Sequence, residues 1–310
     1  RRRKMMERKH LHGITLLGGL AMALLCGCIR DELGPCPPLR LSLEVTDKNY
    51  INVKAASRLG LEEIRSEALP FASYVSSLQY RLADAETGEV IIEQPLKAVE
   101  GESGTLTLPL PEDIPFGRYV LTAWGNLSED EGESLGDDPA KLVLHPDNLP
   151  GADVYLASDT LVYDESEYAY TFGMKRVKGK LVVSVEDMPE AFRYSEKEIT
   201  AISGHVDNRF TYTDSLSFHI PTVWPRPERI ITKTLLAPSI GPAESLFRIR
   251  FYVGDSAEGD NWIVPENISI TMERNKLTVL RYVYDPCCCR FKIYVLVNDN
   301  WELLHSMEID

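Results

Sequence analysis

Apolar and polar residues alternate at a spacing of two along most of this 310-residue chain. Leu39, Leu41, Leu43 and Val45 are separated by Arg40, Ser42 and Glu44, the pattern of a strand with one face buried. Similar stretches run over 74–82, 90–92, 105–110 and 119–124. Turn-forming residues separate them: Glu86-Thr87-Gly88, the polar run 100–104, and Pro115-Phe116-Gly117. Leu59, Leu61, Ile64 and Leu69 recur loosely at helical intervals, which predicts one short helix within 55–69. A second β-rich block opens near Tyr168. Tyr170, Phe172 and Met174 alternate, then Leu181, Val183 and Val185, and further strands are expected at 228–236, 246–253, 268–272, 277–285 and 291–297. Many short strands divided by turns predict an all-β protein of two successive antiparallel β-sandwich domains. Their expected bounds are 39–160 and 165–310, with the joint near 158–168.

The N-terminal stretch follows another pattern. Arg1, Arg2, Arg3, Lys4, Arg8 and Lys9 precede an apolar run, 14–25, broken only by Thr15 and the Gly18-Gly19 pair. That run is too short to span a bilayer, so residues 1–27 read as a secretion signal. Leu25-Cys26-Gly27-Cys28 resembles a bacterial lipobox. In that resemblance the chain is cut after Gly27, and Cys28 becomes the lipid-bearing first residue of a short Pro-rich tether, 28–38. The competing reading is an ordinary signal peptide with a coincidental cysteine. Removing 1–27 removes six Lys/Arg and Glu7, which takes the net charge from −14 to −19. So acidic a body gains nothing from phosphate backbones or anionic lipid surfaces, and nucleic acid is not an expected partner. Attachment to the outer membrane is expected to come from N-terminal acyl chains, several of which anchor stably where one is marginal.

Candidate chemistry is sparse. Beyond Cys28 stand only Cys36 and the triplet Cys287-Cys288-Cys289. In an exported protein Cys36 is free to oxidise with Cys287, Cys288 or Cys289, and the sequence does not choose among them. Neighbouring cysteines in an extended segment point to opposite faces, and no His or Cys pair elsewhere has ligand spacing. No metal and no cofactor are therefore expected. Past the signal the histidines are His145, His205, His219 and His305. There is no Gly-x-Ser-x-Gly elbow, His-Glu-x-x-His helix or P-loop. Asp137-Asp138 lies in an acidic run, 128–138, where adjacent carboxylates are solvated more often than they are catalytic. The chain is not expected to be an enzyme. The rival to a structural role is a secreted carbohydrate-binding β-sandwich module. It would stack sugars on Trp124, Trp224, Trp262 or Trp301, of which Trp224 and Trp262 fall in expected loops. Trp124 is expected in the core.

Several segments resemble one known family. Cys28-Ile29-Arg30-Asp31-Glu32-Leu33-Gly34-Pro35-Cys36-Pro37 resembles the opening of the FimB-type fimbrial anchor lipoproteins of Bacteroidetes. Gly117-Arg118-Tyr119-Val120-Leu121-Thr122-Ala123-Trp124-Gly125-Asn126 is similar to that family's "G-x-Y-x-x-x-A-W-G-N" strand, the more specific of the two motifs. Within it Gly117, Tyr119, Trp124, Gly125 and Asn126 are expected to be structural. Residues 176–188 look like the family's long strand opening the second domain, and Val297-Asn298-Asp299-Asn300-Trp301 resembles its C-terminal ending at Trp301. The resemblance implies two tandem transthyretin-like β-sandwiches and a lipid anchor at the outer membrane, with the protein exposed at the cell surface. It implies a protein that attaches or terminates a type V pilus by strand addition, with fimbrial subunits (fimbrillins) as partners. It also implies that the 39–45 strand stays uncut and buried, while the end of the chain, 301–309, serves pairing. One departure stands out: relatives place a second cysteine in the first domain, and none lies here between Cys36 and Cys287. Finally, Asp159-Thr160-Leu161, Asp214-Ser215-Leu216 and Asp255-Ser256-Ala257 resemble a short bacterial O-glycosylation motif, which would modify Thr160, Ser215 and Ser256.

Overall fold

The computed structural model describes residues 37–127, 141–224, 229–241, 244–258 and 261–305. Cys28, the tether, Cys36 and Asp137-Asp138 lie outside the described residues. The first half forms a sheet from β1 (Arg40–Val45), β2 (Ser77–Asp84), β3 (Val90–Ala98), β4 (Thr105–Thr107), β5 (Gly117–Gly125), β7 (Tyr155–Tyr163) and β8 (Ala169–Arg176). Its order is β3-β2-β5-β7-β8-β1-β4. One core, drawn from β1, β2, β5, β7 and β8, is enclosed by these strands. Leu41, Leu43, Leu82, Leu121 and Ala123 are fully buried in it, so the period-two faces are those the sequence predicts. The face of β1 carrying Leu39, Leu41 and Leu43 is buried, and β1 sits between β8 and β4.

The second half is a sandwich of two sheets. One runs β11-β10-β13-β14, from β10 (Phe192–Asp207), β11 (Tyr212–Val223), β13 (Ser245–Val253) and β14 (Trp262–Ile263). To it are added β15 (Ile268–Ile270) on β13 and β6 (Lys141–Val143) on β10. The other runs β12-β9-β16-β17-β18, from β9 (Gly179–Glu186), β12 (Arg229–Leu236), β16 (Leu277–Asp285), β17 (Arg290–Val297) and β18 (Asn300–His305). Pairing is antiparallel except for β1 with β8 and β9 with β16. The architecture is therefore all-β and built of sandwiches, as expected.

The two halves are interlocked. The helix α1 (Val53–Arg58) from the first half covers the outer face of β9 and β16. Six residues are too few for a stable isolated helix. Burial of Val53, Ala56 and Leu61 against Val182, Leu277 and Val279 holds it, each large aliphatic side chain contributing about 1.5–3 kcal/mol. This is why β9 reads Leu-Val-Val-Ser-Val almost without polar breaks: the sheet is covered on both faces. The helix starts two residues before the expected window, 55–69, and occupies only its beginning, because Gly60, at φ 66°, ends it and Ile64 beyond is exposed. Trp124, Leu142, Leu144 and Leu156 from the first half also sit in the second core.

Two expectations need correction. The joint expected near 158–168 is the β7–β8 hairpin, and both strands belong to the first sheet. The bounds 39–160 and 165–310 therefore cut through one sheet, and the second sandwich opens at β9. Residues 176–188 are likewise not one strand: Arg176 ends β8, and β9 begins at Gly179. A Cβ on Gly179 would collide with the backbone carbonyl of Glu273, so only glycine lets the chain pass there.

Arg176 fills that junction. Its Nε is shared by both Asp153 carboxylate oxygens at 3.0 Å, and its Nη1 donates to Asn275 Oδ1 at 2.8 Å. Its Nη2 donates to the Tyr155 hydroxyl, and its guanidinium carbon lies 4.2 Å from the Tyr50 ring centre. Burial disfavours the charge, but Asp153 and the tyrosines outweigh it and raise the guanidinium's pKa. Asp47 completes the knot, accepting from the Arg176 backbone N–H at 2.9 Å and from Arg274 at 2.8 Å.

Candidate functional site

The motif residues lie on strand β5 and in the turn that follows it. Tyr119, Leu121 and Ala123 face the first core, while Trp124 points the other way into the second. The Tyr119 hydroxyl donates to the Pro115 carbonyl at 2.7 Å, closing the turn that begins the strand at Gly117. A Cβ on Gly125 would lie 2.7 Å from Val75 Cγ1. Asn126 adopts φ 63°, the left-handed conformation that asparagine tolerates best after glycine. Its Nδ2 donates to the carbonyls of Tyr74 and Asp153 at 2.7 and 2.9 Å, and its Oδ1 accepts from the Ser76 N–H at 2.8 Å. One side chain thus ties three segments. Asn126→Ala should strand three backbone partners and strain the left-handed turn, lowering stability by about 3 kcal/mol. A urea denaturation midpoint within error of the parent protein would remove Asn126 from this role.

The surface available for assembly is set by sheet edges, where unpaired N–H and C=O groups invite another strand. Three of the long edges are blunted. β3 carries Pro95 and Lys97. β11 carries Pro221. β12 carries Arg229, whose guanidinium reaches the Leu59 carbonyl, and Lys233, paired with Glu62 at 3.3 Å. The edge strand β18 has neither Pro nor Lys, and Leu303 and Leu304 are 49% and 43% exposed. A register shift between Ile293 and Tyr294 makes Leu304 the extra residue of a bulge, which explains two adjacent leucines facing solvent. The strand is set in place by its turn and by Trp301. Asn298 and Asp299, at φ 46° and 70°, form the tight two-residue turn from β17. Arg281 binds Glu186 through Nε and Nη2 at 3.0 and 2.6 Å, and its guanidinium carbon lies 5.6 Å from the Trp301 ring centre.

The remaining candidate residues are dispersed. Thr160 on β7, Ser215 on β11 and Ser256 in the bend after β13 are all exposed, and Ser256 is the one outside a strand. Cys287, Cys288 and Cys289 are exposed in the β16–β17 turn, with Cys289 at φ 54°, rather than in an extended segment. Among the described residues no group of His, Cys, Asp and Glu is placed to hold a metal ion, and no helix is long and apolar enough to cross a membrane. Trp224, expected in an open loop, is a core residue: its Nε1 donates to the Phe192 carbonyl at 2.9 Å and its ring meets Phe251 edge-on. Trp262 is half exposed on β14.

No protein-family model matches the chain, and no curated protein sequence matches it. Solved structures do. A Bacteroides thetaiotaomicron protein provisionally named an adhesin has a TM-score of 0.60 at 15% identity, covering 88% of this chain and 100% of that one. A provisionally assigned polysaccharide-binding protein of the same species has a TM-score of 0.55 at 12% identity, covering 86% and 99%. The fimbrial anchor protein Mfa2 of Porphyromonas gingivalis has a TM-score of 0.51 at 16% identity, covering 87% and 100%. At such identities the likeness is one of fold. This chain shares the fold of these fimbrial and adhesin β-sandwich proteins over most of its length.

Proposed function

We propose that this chain is a non-enzymatic, lipid-anchored fimbrial anchor or accessory subunit that attaches or terminates a pilus at the outer membrane by strand addition. The observation that supports this reading is the fold likeness to a fimbrial anchor protein over 87% of this chain and all of that one, rather than over one module. The unblunted β18 edge supplies the physical means: backbone hydrogen bonds to an incoming fimbrial strand give affinity, and alternate side-chain pockets give register. The buried β1 supports an anchor that keeps its first strand, since cleavage after Arg40 would part the body from an acyl group on Cys28. Two variants test the reading. Cys28→Ala should abolish labelling by a fatty-acid analogue and release the protein from membranes. Deleting 302–310 should leave a folded, acylated protein whose cells shed their pili or carry overlong ones. Normal pilus length and retention in the deletion strain would remove β18 from assembly.

A further inference from the structure

The face of the β11-β10-β13-β14 sheet turned away from the core carries three cross-strand rows. Val223, Tyr194, Tyr252 and Trp262 make the first. Pro221, Glu196 and Arg250 make the second, and His219, Glu198 and Arg248 the third. In the first row the Tyr194 and Tyr252 ring centres are 5.5 Å apart, and those of Tyr252 and Trp262 6.4 Å. The Arg250 guanidinium carbon lies 5.8 Å from the Trp262 ring centre. The Tyr252 hydroxyl donates to Glu196 at 2.7 Å and accepts from Arg250 Nη1 at 3.1 Å, so the polar row holds the aromatic row in place. Beside it Glu196, Glu198, His219, Arg248, Val264 and Asn267 border an open cleft of about 380 Å³, within the size range of small-molecule sites.

Trp262 stays 51% exposed, whereas Trp124 and Trp224 are buried. Further along the same face the ion pairs are long: Arg248 to Glu198 at 3.3 Å, with side chains 44% and 43% exposed, and the exposed His219 to Glu196 at 3.5 Å. Such pairs contribute little to stability and exchange partners at low cost. An exposed aromatic plane that shares its sheet face with carboxylates and guanidiniums free to change partner complements a pyranose ring. The apolar C–H face of the sugar stacks on the indole, and vicinal hydroxyls donate to carboxylates and accept from guanidiniums. The charges of Glu196, Glu198, Arg248 and Arg250 cancel, which favours an uncharged sugar over a phosphate or sulfate ligand.

We propose that this face is a binding site for uncharged pyranose saccharides, running from Trp262 along the sheet to the Glu198–Arg248 pair. It lies on the sheet opposite the one that carries β18, so it is independent of the assembly edge. The test uses the full-length protein in detergent with maltoheptaose, cellohexaose, chitohexaose and yeast mannan as probes, read by acrylamide quenching of tryptophan fluorescence and by calorimetry. At least one probe should bind saturably and protect a tryptophan from quenching. Trp262→Ala should weaken that binding about tenfold or more, and Trp262→Phe should restore most of it. Glu198→Gln and Arg248→Ala, which alter exposed side chains only, should each weaken it, while Lys233→Ala on the other sheet should not. The proposal is overturned if no probe binds saturably, or if binding persists unchanged in Trp262→Ala and Arg248→Ala.

Discussion

Replacing Arg176 with methionine is expected to destabilise the protein by about 3 kcal/mol, although the new side chain is apolar and enters a buried site. Arg176 is only 2% exposed, and its guanidinium compensates Asp153, Asn275 and Tyr155 together. Removing one member of a buried ion pair typically costs about 3–5 kcal/mol, because the partner is left charged and unpaired. Asp153 is 28% exposed, so water recovers part of that loss, which places the expectation at the lower end. The partners come from both halves of the chain: Tyr155 from β7 and Asp153 just before it, Asn275 from the loop before β16, and Tyr50 from the segment leading to α1. Loss of the guanidinium should therefore loosen the fit between the halves as well as lower the midpoint. Urea denaturation of the parent, Arg176→Met and Arg176→Lys reads both effects. Lysine keeps the charge but not the planar fork, and should fall between the other two. A methionine variant within 1 kcal/mol of the parent would show the knot to be dispensable.

How much of this was legible in sequence varies with how each strand is buried. Strands with one apolar face, such as β1 and β5, and those covered on both faces, such as β9, could be read directly. The β10–β11 hairpin, the longest in the molecule, could not. Before its bulge the inward face of β10 carries Ser195 and Lys197 ahead of Ile199, and the bulge then shifts the apolar parity to Ile202 and Val206, so no unbroken apolar alternation runs along it. Lys197 is buried with Thr232 Oγ1 as its hydrogen-bond partner at 2.9 Å, and burial pulls its pKa down to about 8. A core lysine gives no apolar period to detect. Strand β7 hid for a similar reason: Ser158, Asp159 and Thr160 interrupt its pattern and resemble a linker, yet they pair along β5.

The same limit applies to the functional surfaces. The Gly117 to Asn126 motif was visible because its residues do local work, in a turn, a close approach and a left-handed cap. Arg176 was not, because Asp153 and Asn275 meet it only through the fold. Trp224 and Trp262, both in expected loops, were equivalent as candidates for sugar stacking until burial separated them. Trp124 and Trp224 serve the core, Trp301 packs beneath Arg281, and Trp262 is left facing solvent. Which edge of a sheet is open is likewise a property of strand order. The proline in β11 reads as an edge signal only once β11 is known to be a strand.

His145 should make the protein acid-labile well above the range in which carboxylates titrate. It follows β6 and is 2% exposed, with its ring edge-on to Phe218 at 4.6 Å. Its Nδ1 faces the Leu149 carbonyl at 3.0 Å, and the Ala237 backbone N–H points at its Nε2 at 3.0 Å. A carbonyl can only accept and an amide N–H can only donate, so the ring must be neutral with its proton on Nδ1. Protonating Nε2 would set N–H against N–H in a buried site. Burial first, and the nearby Lys178 charge second, hold the imidazole's pKa down to about 3 from an ordinary 6.5. Below pH 6.5 the unfolded chain therefore binds a proton that the folded protein refuses, and stability falls as pH falls until the folded pKa is reached. Between pH 7.5 and 5 the loss is about 2 kcal/mol from this residue alone, at about 1.4 kcal/mol per unit. His145→Gln keeps an acceptor for Ala237 and removes the titration. It should cost about 1–2 kcal/mol at pH 7.5 through the lost bond to Leu149, yet flatten the profile. The half-buried His205, the exposed His219 and all carboxylates are common to both proteins, so they cancel in the comparison. Urea midpoints taken at half-unit steps would decide it: parallel stability profiles for parent and variant from pH 7.5 to 5 would show that His145 is not the acid-sensitive group.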